Sequence, residues 1–531
     1  MRTIPVLFDA NGRFGAGINT PTAHPRAADL LAHLDRLGVA RSVVWHTSAA
    51  TDHLPTANAR LLEQIALNGQ ARNRLIPAFG FSAQMLYEHG AVDALAAMIT
   101  SKSGSRALRF KAVYANTLRL VEPVLTKLAD LRPVVFVSFA ELKPDDLLAV
   151  AARLPTVSFV VTDVMWPQYI ETFDLMRQRA NVLVETSLLH TWNAIAIAVR
   201  EFGAERILFG MGAKTHNGAA IAALMDASIT PAERSAIAHG NLERLLGLGP
   251  LPAAKAVRSK SSTSLWTKLL QGRKLGVDIV DAHYHLGGSG GFVLETNNLR
   301  EQITATLKKA DALGVRLMLV SGLEGLLGPD PIEGHQKLVR ALRPHRRRLR
   351  PYFGFNPRFA DILAPRLGQI MRDFAGFKTL CDYWAVNIAD ERFRPMWEHA
   401  QAHCLPILNH TWEGTINSPA MLKAVVKRYP RAIFLLGHSG GGDTGRAEAE
   451  ELAAAHANVY LEWCGSFCSA TPWEDTLRRV STGKVVYGSD AYCHGVPWEL
   501  GRLLSLNLPD AALVPVLSAN MRRILALDRR R

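Results

Sequence analysis

The stretch Val277-Asp278-Ile279-Val280-Asp281-Ala282-His283-Tyr284-His285 is the part of the chain from which the rest is interpreted. An apolar, β-branched run leads into Asp-x-His-x-His. Side chains two residues apart in an extended segment point to the same face, so His283 and His285 would present two imidazoles side by side. Two imidazoles supply half of the coordination shell that a transition-metal ion needs. The pair therefore predicts a metal site at the end of a strand, completed by ligands from elsewhere in the chain.

The two halves of the chain carry the same motifs in the same order. The matched pairs include Phe8–Arg13 with Val280–His285, Pro77–Phe81 with Pro351–Phe355, Asn181–Glu185 with Asn458–Glu462, and Asn241–Leu246 with Asn520–Leu525. Because the offset between partners stays at roughly 265 to 280 residues, the repeat indicates an internal duplication of a whole domain.

Each half alternates short β-rich runs with segments of helical composition and spacing. In the second half the predicted strands lie near 277–280, 316–320, 351–355, 376–380, 405–409, 433–437, 459–463 and 484–488. The predicted helices include 298–313, 394–402, 418–428 and 443–456. Eight alternating units over about 250 residues are typical of a (β/α)₈ TIM barrel, with a doubly wound open sheet as the structural alternative. We therefore predict an α/β protein of two tandem barrels.

Length and composition set the domain boundaries. A chain of 531 residues exceeds the size at which a single core stops growing, so two large domains are expected. Residues 1–250 form the first predicted barrel and residues 275–531 the second. Residues 251–274, rich in Ala, Ser and Lys, form a basic linker with one short helix near its end.

Composition also limits the cellular setting and the partners. Hydrophobic residues make up 48% of the chain and charged residues 20%, as in globular proteins. No run of about eighteen apolar residues predicts a membrane span, and no export signal is recognised. Five cysteines without such a signal indicate free thiols and a cytoplasmic protein. The net charge of +14 comes without any nucleic-acid-binding motif, so we expect a small-molecule substrate and no nucleic-acid partner.

Polar residues fall at the ends of the predicted strands of the second half. The fourth strand carries Lys378, the fifth ends in His410, the sixth in His438 and the eighth in Asp490. In a TIM barrel these ends converge on one face, where catalytic residues gather. Together with the opening histidine pair, they predict one site at the mouth of the second barrel.

With these residues, the second half of the sequence resembles the amidohydrolase superfamily, specifically its amidohydrolase-related (amidohydrolase 2) branch of metal-dependent hydrolases and decarboxylases. The resemblance rests on Asp281–His285, Gly376–Lys378, Asp390–Glu398, Leu405–Thr411, Gly437–Gly441 and Tyr487–Asp490. It implies that His283, His285, His410 and Asp490 bind one divalent metal ion, Zn²⁺ by preference, and that His438 is catalytic. Asp490 would also accept a proton from a metal-activated water, and His438 would stabilise the oxyanion or protonate the leaving group.

Three further residues are candidates for substrate contacts. Lys378 occupies the position at which binuclear relatives carry a carboxylated lysine. Here Thr379-Leu380-Cys381 follows it in place of the more usual histidine, which favours a structural role or a contact with a substrate carboxylate. Trp412 and His494 would line the same pocket, although packing is the simpler interpretation of each.

The first half lacks these side chains. Asn11 and Arg13 replace the histidine pair, Val137 or Ser138 replaces His410, Asp163 replaces His438, and Gly212 replaces Asp490; Lys111 is matched with Lys378. Because an arginine is always charged and cannot ligate a cation, we expect a degenerate, pseudo-enzyme barrel without a metal site. It would pair with the second barrel within the chain, or carry a divergent ligand-binding site.

Three functions remain open from sequence. The first is a metal-dependent hydrolase that cleaves a C–O or C–N bond next to a carbonyl group. The second is a non-oxidative decarboxylase acting on an aromatic or enoic acid; its usual proline after Ser-Asp is replaced here by Ala491-Tyr492-Cys493-His494, which favours the hydrolase. The third is a non-catalytic binding protein. Substrate identity and homo-oligomerisation are left open by the sequence.

Overall fold

The chain divides into two compact units, residues 2–262 and residues 263–531. The computed structural model describes residues 2–18, 23–113, 116–212, 216–249, 264–288, 290–291, 293–296, 298–468 and 471–527. Residues 251–263 of the predicted linker lie outside these ranges. The short helix expected in the linker, Ser264–Leu270, belongs to the second unit and buries Leu265 and Trp266.

The first unit is a barrel of parallel strands. Its strands are β1 (Phe8–Phe14), β2 (Arg41–His46), β3 (Leu75–Pro77), β4 (Phe79–Phe81), β5 (Ala107–Phe110), β6 (Val134–Ser138), β7 (Ser158–Thr162), β8 (Val182–Glu185) and β9 (Ile207–Leu208). β3 and β4 are two halves of one strand, because β3 pairs with β2 and β4 pairs with β5. The amide of Ala10 in β1 donates to Phe209 O at 2.9 Å, which ties the last strand to the first.

The second unit repeats this order. Its strands are β10 (Ile279–Leu286), β11 (Val315–Gly322), β12 (Leu349–Pro351), β13 (Phe353–Gly354), β14 (Phe377–Thr379), β15 (Pro406–His410), β16 (Ile433–Gly437), β17 (Val459–Glu462) and β18 (Val485–Val486). Here β12 and β13 form the divided third strand, and Ala282 N donates to Tyr487 O at 2.9 Å to join the ends. The two predicted TIM barrels are thereby confirmed. β10 continues through His285, so the histidine pair lies inside the strand instead of after it.

Helices connect the strands of both barrels. Those of the first are Ala27–Leu37, Leu54–Ala66, Ala71–Arg74, Ala91–Thr100, Leu118–Lys127, Pro144–Arg153, Tyr169–Gln178, Ala194–Phe202, Ala219–Asp226, Pro231–Ser235 and Asn241–Leu246. Those of the second, after Ser264–Leu270, are Leu299–Leu313, Leu323–Leu327, Glu333–Leu342, Ala360–Leu363, Leu367–Ile370, Cys381–Trp384, Arg394–His403, Lys423–Arg428, Asp443–Ala455, Trp473–Val480, Val496–Leu504, Asp510–Val514 and Asn520–Ile524. None of the helices in the described ranges is both long and apolar enough to cross a membrane.

Local sequence explains where such helices begin and end. The Asn298 side chain accepts hydrogen bonds from the amides of Arg300 and Glu301, which caps the helix Leu299–Leu313 at its start. Gly314 ends the same helix with φ at 91°, a left-handed conformation that glycine adopts without strain. The helix thus returns the chain to β11 at a defined residue.

Two asparagines of the repeat have the same structural role in both barrels. Asn181 Nδ2 donates to the carbonyls of Ala151, Leu154 and Val157, and Asn458 Nδ2 donates to those of Val426, Tyr429 and Ala432. Each amide satisfies carbonyl groups at a helix end that would otherwise lack partners. The repeated Asn motif is therefore explained by folding and not by chemistry.

The first part of β10 belongs to the core and its last part to the site. Val280 and Ala282 belong to a buried apolar cluster that also contains Leu408 of β15 and Leu435 of β16. The pairing of β10 with β11 shifts its register between Asp281 and Tyr284, beside His283. This arrangement aims His283 and His285 at the mouth of the second barrel.

Candidate metal centre

Three donor atoms meet at the mouth of the second barrel. His283 Nε2 lies 3.1 Å from His285 Nε2 and 3.3 Å from Asp490 Oδ1, and His285 Nε2 lies 3.1 Å from Asp490 Oδ1. A tetrahedron with bonds of 2.0–2.1 Å to a zinc ion has edges of about 3.3 Å. The spacing of the three donors therefore fits one small divalent ion.

Burial keeps the first of these imidazoles ready to bind a metal. His283 is fully buried, and desolvation, together with the nearby Lys378 ammonium, holds its pKa well below the usual range. The ring is therefore neutral, which is the form that ligates a metal. Burying such polar side chains is costly without a charged partner, which is the Lys378 ammonium in this structure and would be the ion in the metal-bound protein.

Glu462 and Cys464 contact the other ring nitrogen of His283, Nδ1. Neither residue was assigned to the site from the sequence. His283 Nδ1 donates to Glu462 Oε2 at 3.1 Å, and Cys464 Sγ lies 3.3 Å from the same nitrogen. This bond places the ring proton on Nδ1 and leaves the Nε2 lone pair for a metal. Desolvation raises the pKa of Glu462 to about 7. The signal available in the sequence was the repeat, which pairs Glu462 with Glu185.

The support from Glu462 gives a testable prediction. Glu462→Gln replaces the carboxyl group that accepts from His283 Nδ1 by an amide, so metal affinity should fall about 10- to 100-fold, as for other outer ligand partners. Competition with a chromophoric chelator measures this affinity in the purified protein. Glu398→Gln, an exposed glutamate of the same barrel, is the matched control. Equal metal affinity in the two variants would contradict the assigned role.

Asp281 links the strand that carries His283 and His285 to the segment that carries Asp490. Its carboxylate accepts from Ser489 Oγ at 2.6 Å, from Ser489 N at 3.0 Å and from His283 N at 3.1 Å. These bonds connect β10 to the segment after β18, which carries Asp490. The side chain is fully buried, and it acts on the site only through its neighbours.

His438 faces the donor set from the end of β16. One of its ring nitrogens lies within 4.8 Å of ligand atoms of both His283 and Asp490. Its Nδ1 donates to Cys464 O at 3.3 Å, so the Nε2 lone pair remains available. A Cβ atom at Gly465 would lie 2.5 Å from Nδ1, which is why the backbone can approach this ring only at a glycine.

His410 lies at the same mouth, but its hydrogen bonds differ from those of His283. Its ring centroid is 4.7 Å from that of His438. Asn417 Nδ2 donates to His410 Nδ1 at 2.8 Å and to His410 O at 3.0 Å, which leaves the ring proton on Nε2. A metal bond from Nε2 requires the Asn417 amide to turn. His410 is thus brought to the site without the tautomer that a ligand needs.

Lys378 is fully buried within the site. Its Nζ donates to His283 Nε2 at 2.7 Å, the same atom that faces His285 and Asp490. Desolvation lowers the pKa of Lys378 to about 8. Because it contacts His283, the amine lies next to the donor set, at a position where it would contact a bound substrate.

The other two candidate substrate residues lie around the donor set. Trp412 is half-buried, with its ring 6.1 Å from that of His438. A ligand atom of His494 lies within 4.8 Å of one from Asp490, while His494 Nδ1 bonds Glu499 Oε1 at 2.7 Å. Both predicted residues are therefore in the neighbourhood of the site, and His494 is fixed by a buried carboxylate.

The first barrel keeps the backbone of this site and changes its side chains. Asp163 and His438 both have left-handed backbones, with φ at 58° and 62°, as do Gly212 and Asp490 at 67° and 52°. Strand register also places Ser138 at the position of His410. In the described part of the chain, groups of three close potential ligand atoms occur only in the second barrel.

The strand register corrects one match made from sequence. Arg109 pairs with Gly80 in the first barrel, as Lys378 pairs with Gly354 in the second. Arg109, and not Lys111, is therefore the counterpart of Lys378. The error arose because the similar Phe-Lys pairs of the two halves are displaced by two residues relative to the strands.

Comparison with known proteins gives a family match. A family model described as amidohydrolase matches residues 9–248 and 334–527, so its second segment begins after the His283 and His285 pair. A search of curated proteins finds no match.

Several solved structures are similar to about half of the chain. A dihydroxybenzoic acid decarboxylase from Polaromonas sp. JS666, with bound manganese and 2-nitroresorcinol, is 15% identical over 48% of this chain and 98% of that one, with a TM-score of 0.39. A 5-carboxyvanillate decarboxylase from Novosphingobium aromaticivorans, complexed with manganese, is 11% identical over 47% and 96%, with a TM-score of 0.37. A putative amidohydrolase from Staphylococcus aureus is 13% identical over 47% and 100%, with a TM-score of 0.36.

Proposed function

This chain belongs to the amidohydrolase family, and we propose that its second barrel is a metal-dependent decarboxylase that removes CO₂, without oxidation, from a small aromatic or enoic acid. The observation that carries the proposal is the fully buried Lys378 amine, 2.7 Å from His283 Nε2. Asp490 and Glu462 are anions that already favour the charged form of Lys378, and a divalent cation bound next to this ammonium would favour a further anion. A substrate carboxylate supplies that anion, whereas an ester or amide does not.

The proposed metal ligands are His283, His285 and Asp490, with His410 as a fourth. Nitrogen and oxygen donors in this ratio suit Zn²⁺ and also Mn²⁺, so Zn²⁺ is the first choice and not the only one to test. When bound, the ion would polarise an oxygen of the substrate and neutralise part of its charge. Because ligation takes the lone pair of His283 Nε2, the Lys378 amine would be released to bind the substrate carboxylate.

The chain's own residues then provide the proton. Decarboxylation breaks the bond between carbon and carboxylate, leaves the electron pair on carbon and requires one proton there. Because its Nδ1 donates to Cys464 O, the neutral His438 ring has a lone pair on Nε2; we propose that Nε2 first takes up a proton from solvent and then passes it to this carbon. Burial lowers the pKa of His438, so the imidazolium gives up this proton readily. His438 would recover a proton from solvent after CO₂ leaves, and the burial of His283 and Lys378 keeps water away from the carbanion.

Hydrolysis is the second candidate, and it is supported by Asp490. Its Oδ1 lies beside both imidazoles of the donor set, a position from which a carboxylate can accept a proton from an attacking water. The sequence alone favoured this function because no proline follows Ser489-Asp490. We place it second because it leaves the buried Lys378 without a role.

Product analysis distinguishes the two reactions. The protein, loaded with Zn²⁺ or Mn²⁺, is incubated in H₂¹⁸O with hydroxybenzoates and enoic acids labelled with ¹³C at the carboxyl carbon, and separately with esters and lactones. We expect labelled CO₂ and an organic product without ¹⁸O. Incorporation of ¹⁸O into a released acid, without CO₂, would establish the hydrolase instead.

A further inference from the structure

The mouth of the first barrel concentrates positive charge where the second barrel has its donor set. Arg13 stands at the β1 position that corresponds to His285, and Arg109 stands on β5 at the position of Lys378. Lys111 follows directly after β5. Three cationic side chains therefore enter a mouth whose backbone matches that of the metal centre.

Arg109 is buried without enough partners for its guanidinium group. It is only 4% exposed, and its Nε is buried with no hydrogen-bond partner among the described residues. Nη1 donates to Thr162 Oγ1 at 3.2 Å, and Nη2 lies 3.7 Å from Glu141 Oε2, an ion pair without a hydrogen bond. A guanidinium carries five N–H donors, and leaving them unmet in a buried position is costly.

Three acidic side chains at this mouth offset most, but not all, of its positive charge. Asp163 accepts from Asn11 Nδ2 and from Thr162 Oγ1, each at 2.9 Å, and its charge also acts on Arg13. Glu141 pairs with Lys111 and lies within ion-pair distance of Arg109. Glu185 is a buried carboxyl whose pKa desolvation raises to about 7, so among the described residues it offsets only part of the third positive charge.

Trp45 holds two of the cations in one place. The Arg109 guanidinium carbon lies 5.2 Å from the centroid of the Trp45 ring, and Lys111 Nζ lies 5.1 Å from the centroid. Contacts of this kind position cations without neutralising them. The Arg13 side chain is exposed, so a solute can reach the cluster from solvent.

We propose that the first barrel binds a small oxyanion, a carboxylate or a phosphate group, between Arg13, Arg109 and Lys111. Arginine forks match the geometry of both groups, because each presents two oxygens in a plane. The emptied metal site is, in this proposal, a ligand site of opposite charge. It is independent of the reaction assigned to the second barrel.

Calorimetric titration of the full-length, metal-free protein with inorganic phosphate, and separately with benzoate, tests the proposal at constant ionic strength. We expect saturable binding of at least one anion. Arg109→Gln and Arg13→Gln should each weaken it about tenfold or more, the usual effect of losing a charged hydrogen bond. Binding of phosphate alone would identify a phosphate ligand, and binding of benzoate alone a carboxylate.

Two control variants locate the binding. Arg478→Gln removes an exposed cation of the second barrel, and Arg153→Gln removes an exposed ion pair of the first. Both should bind the anion as the unaltered protein does. Arg13→Gln changes an exposed side chain, so the test stands even if Arg109→Gln does not fold. No saturable binding of either anion, or binding that both arginine variants retain, would overturn the proposal.

Discussion

His283→Ala is expected to leave the protein without its metal and without activity. His283 supplies one of three donor atoms that lie 3.1–3.3 Å apart, and its Nδ1 connects the donor set to Glu462. Outer partners of metal ligands already contribute 10- to 100-fold to affinity, so removal of a ligand itself should cost more than about 100-fold. Inductively coupled plasma mass spectrometry of dialysed protein, together with turnover of the best substrate, measures both effects.

The unaltered chain should hold about one metal ion, because the described residues of the first barrel do not provide the ligand set. His403→Ala, an exposed histidine at the end of the helix Arg394–His403, is the control and should retain full occupancy. Two ions per chain, or an unaltered metal content in His283→Ala, would show that the ion is bound elsewhere.

Much of the fold could be predicted from sequence because a barrel is built from local patterns. Apolar runs ended by polar residues located every strand of the second barrel, and the repeat located the first. The divided third strand was not foreseen. Tyr352 lies at the division: its amide still donates to Val320 O of β11, whereas the amide of Phe353 donates to Gly376 O, and pairing continues with β14. Such a switch depends on neighbours that sequence spacing does not specify.

The candidate site was predicted in part for the same reason. His283, His285 and Asp490 end apolar strands, and the structure brings them within 3.3 Å. Glu462 was not identified as functional, because its contact with His283 spans 179 residues and has no local signature. Sequence can place side chains at the correct end of a barrel, whereas only the folded chain shows which of them meet.

The geometry also explains how the first barrel has the same fold with different side chains at its mouth. Asp9 accepts from Ser42 Oγ and Met211 N, and Asp281 accepts from Ser489 Oγ and Ser489 N. These buried carboxylates tie the first strand to its neighbours in both barrels. They stabilise the mouth without contacting a substrate, so the side chains within the mouth could change while the barrel remained closed.

Replacement of His438 should abolish most of the catalysis without loss of the metal, whereas the matched replacement of His410 should lower metal affinity. Asparagine is the better replacement for His438, because φ is 62° there and asparagine tolerates this left-handed conformation better than alanine. His438→Asn should bind metal as the unaltered protein does, while kcat falls roughly 10²- to 10⁴-fold, the usual contribution of a general acid. KM should change little, since Lys378 still binds the substrate carboxylate.

The matched variant is His410→Ala, which should lower metal affinity. The two histidines are neighbours, 4.7 Å apart between ring centroids, yet their hydrogen bonds differ. Cys464 O fixes the His438 proton on Nδ1, whereas Asn417 leaves the His410 proton on Nε2. Those tautomers would make His438 the better ligand unless Asn417 turns on metal binding. Loss of metal in His438→Asn, with metal retained in His410→Ala, would therefore exchange the two roles and move the proton to another donor.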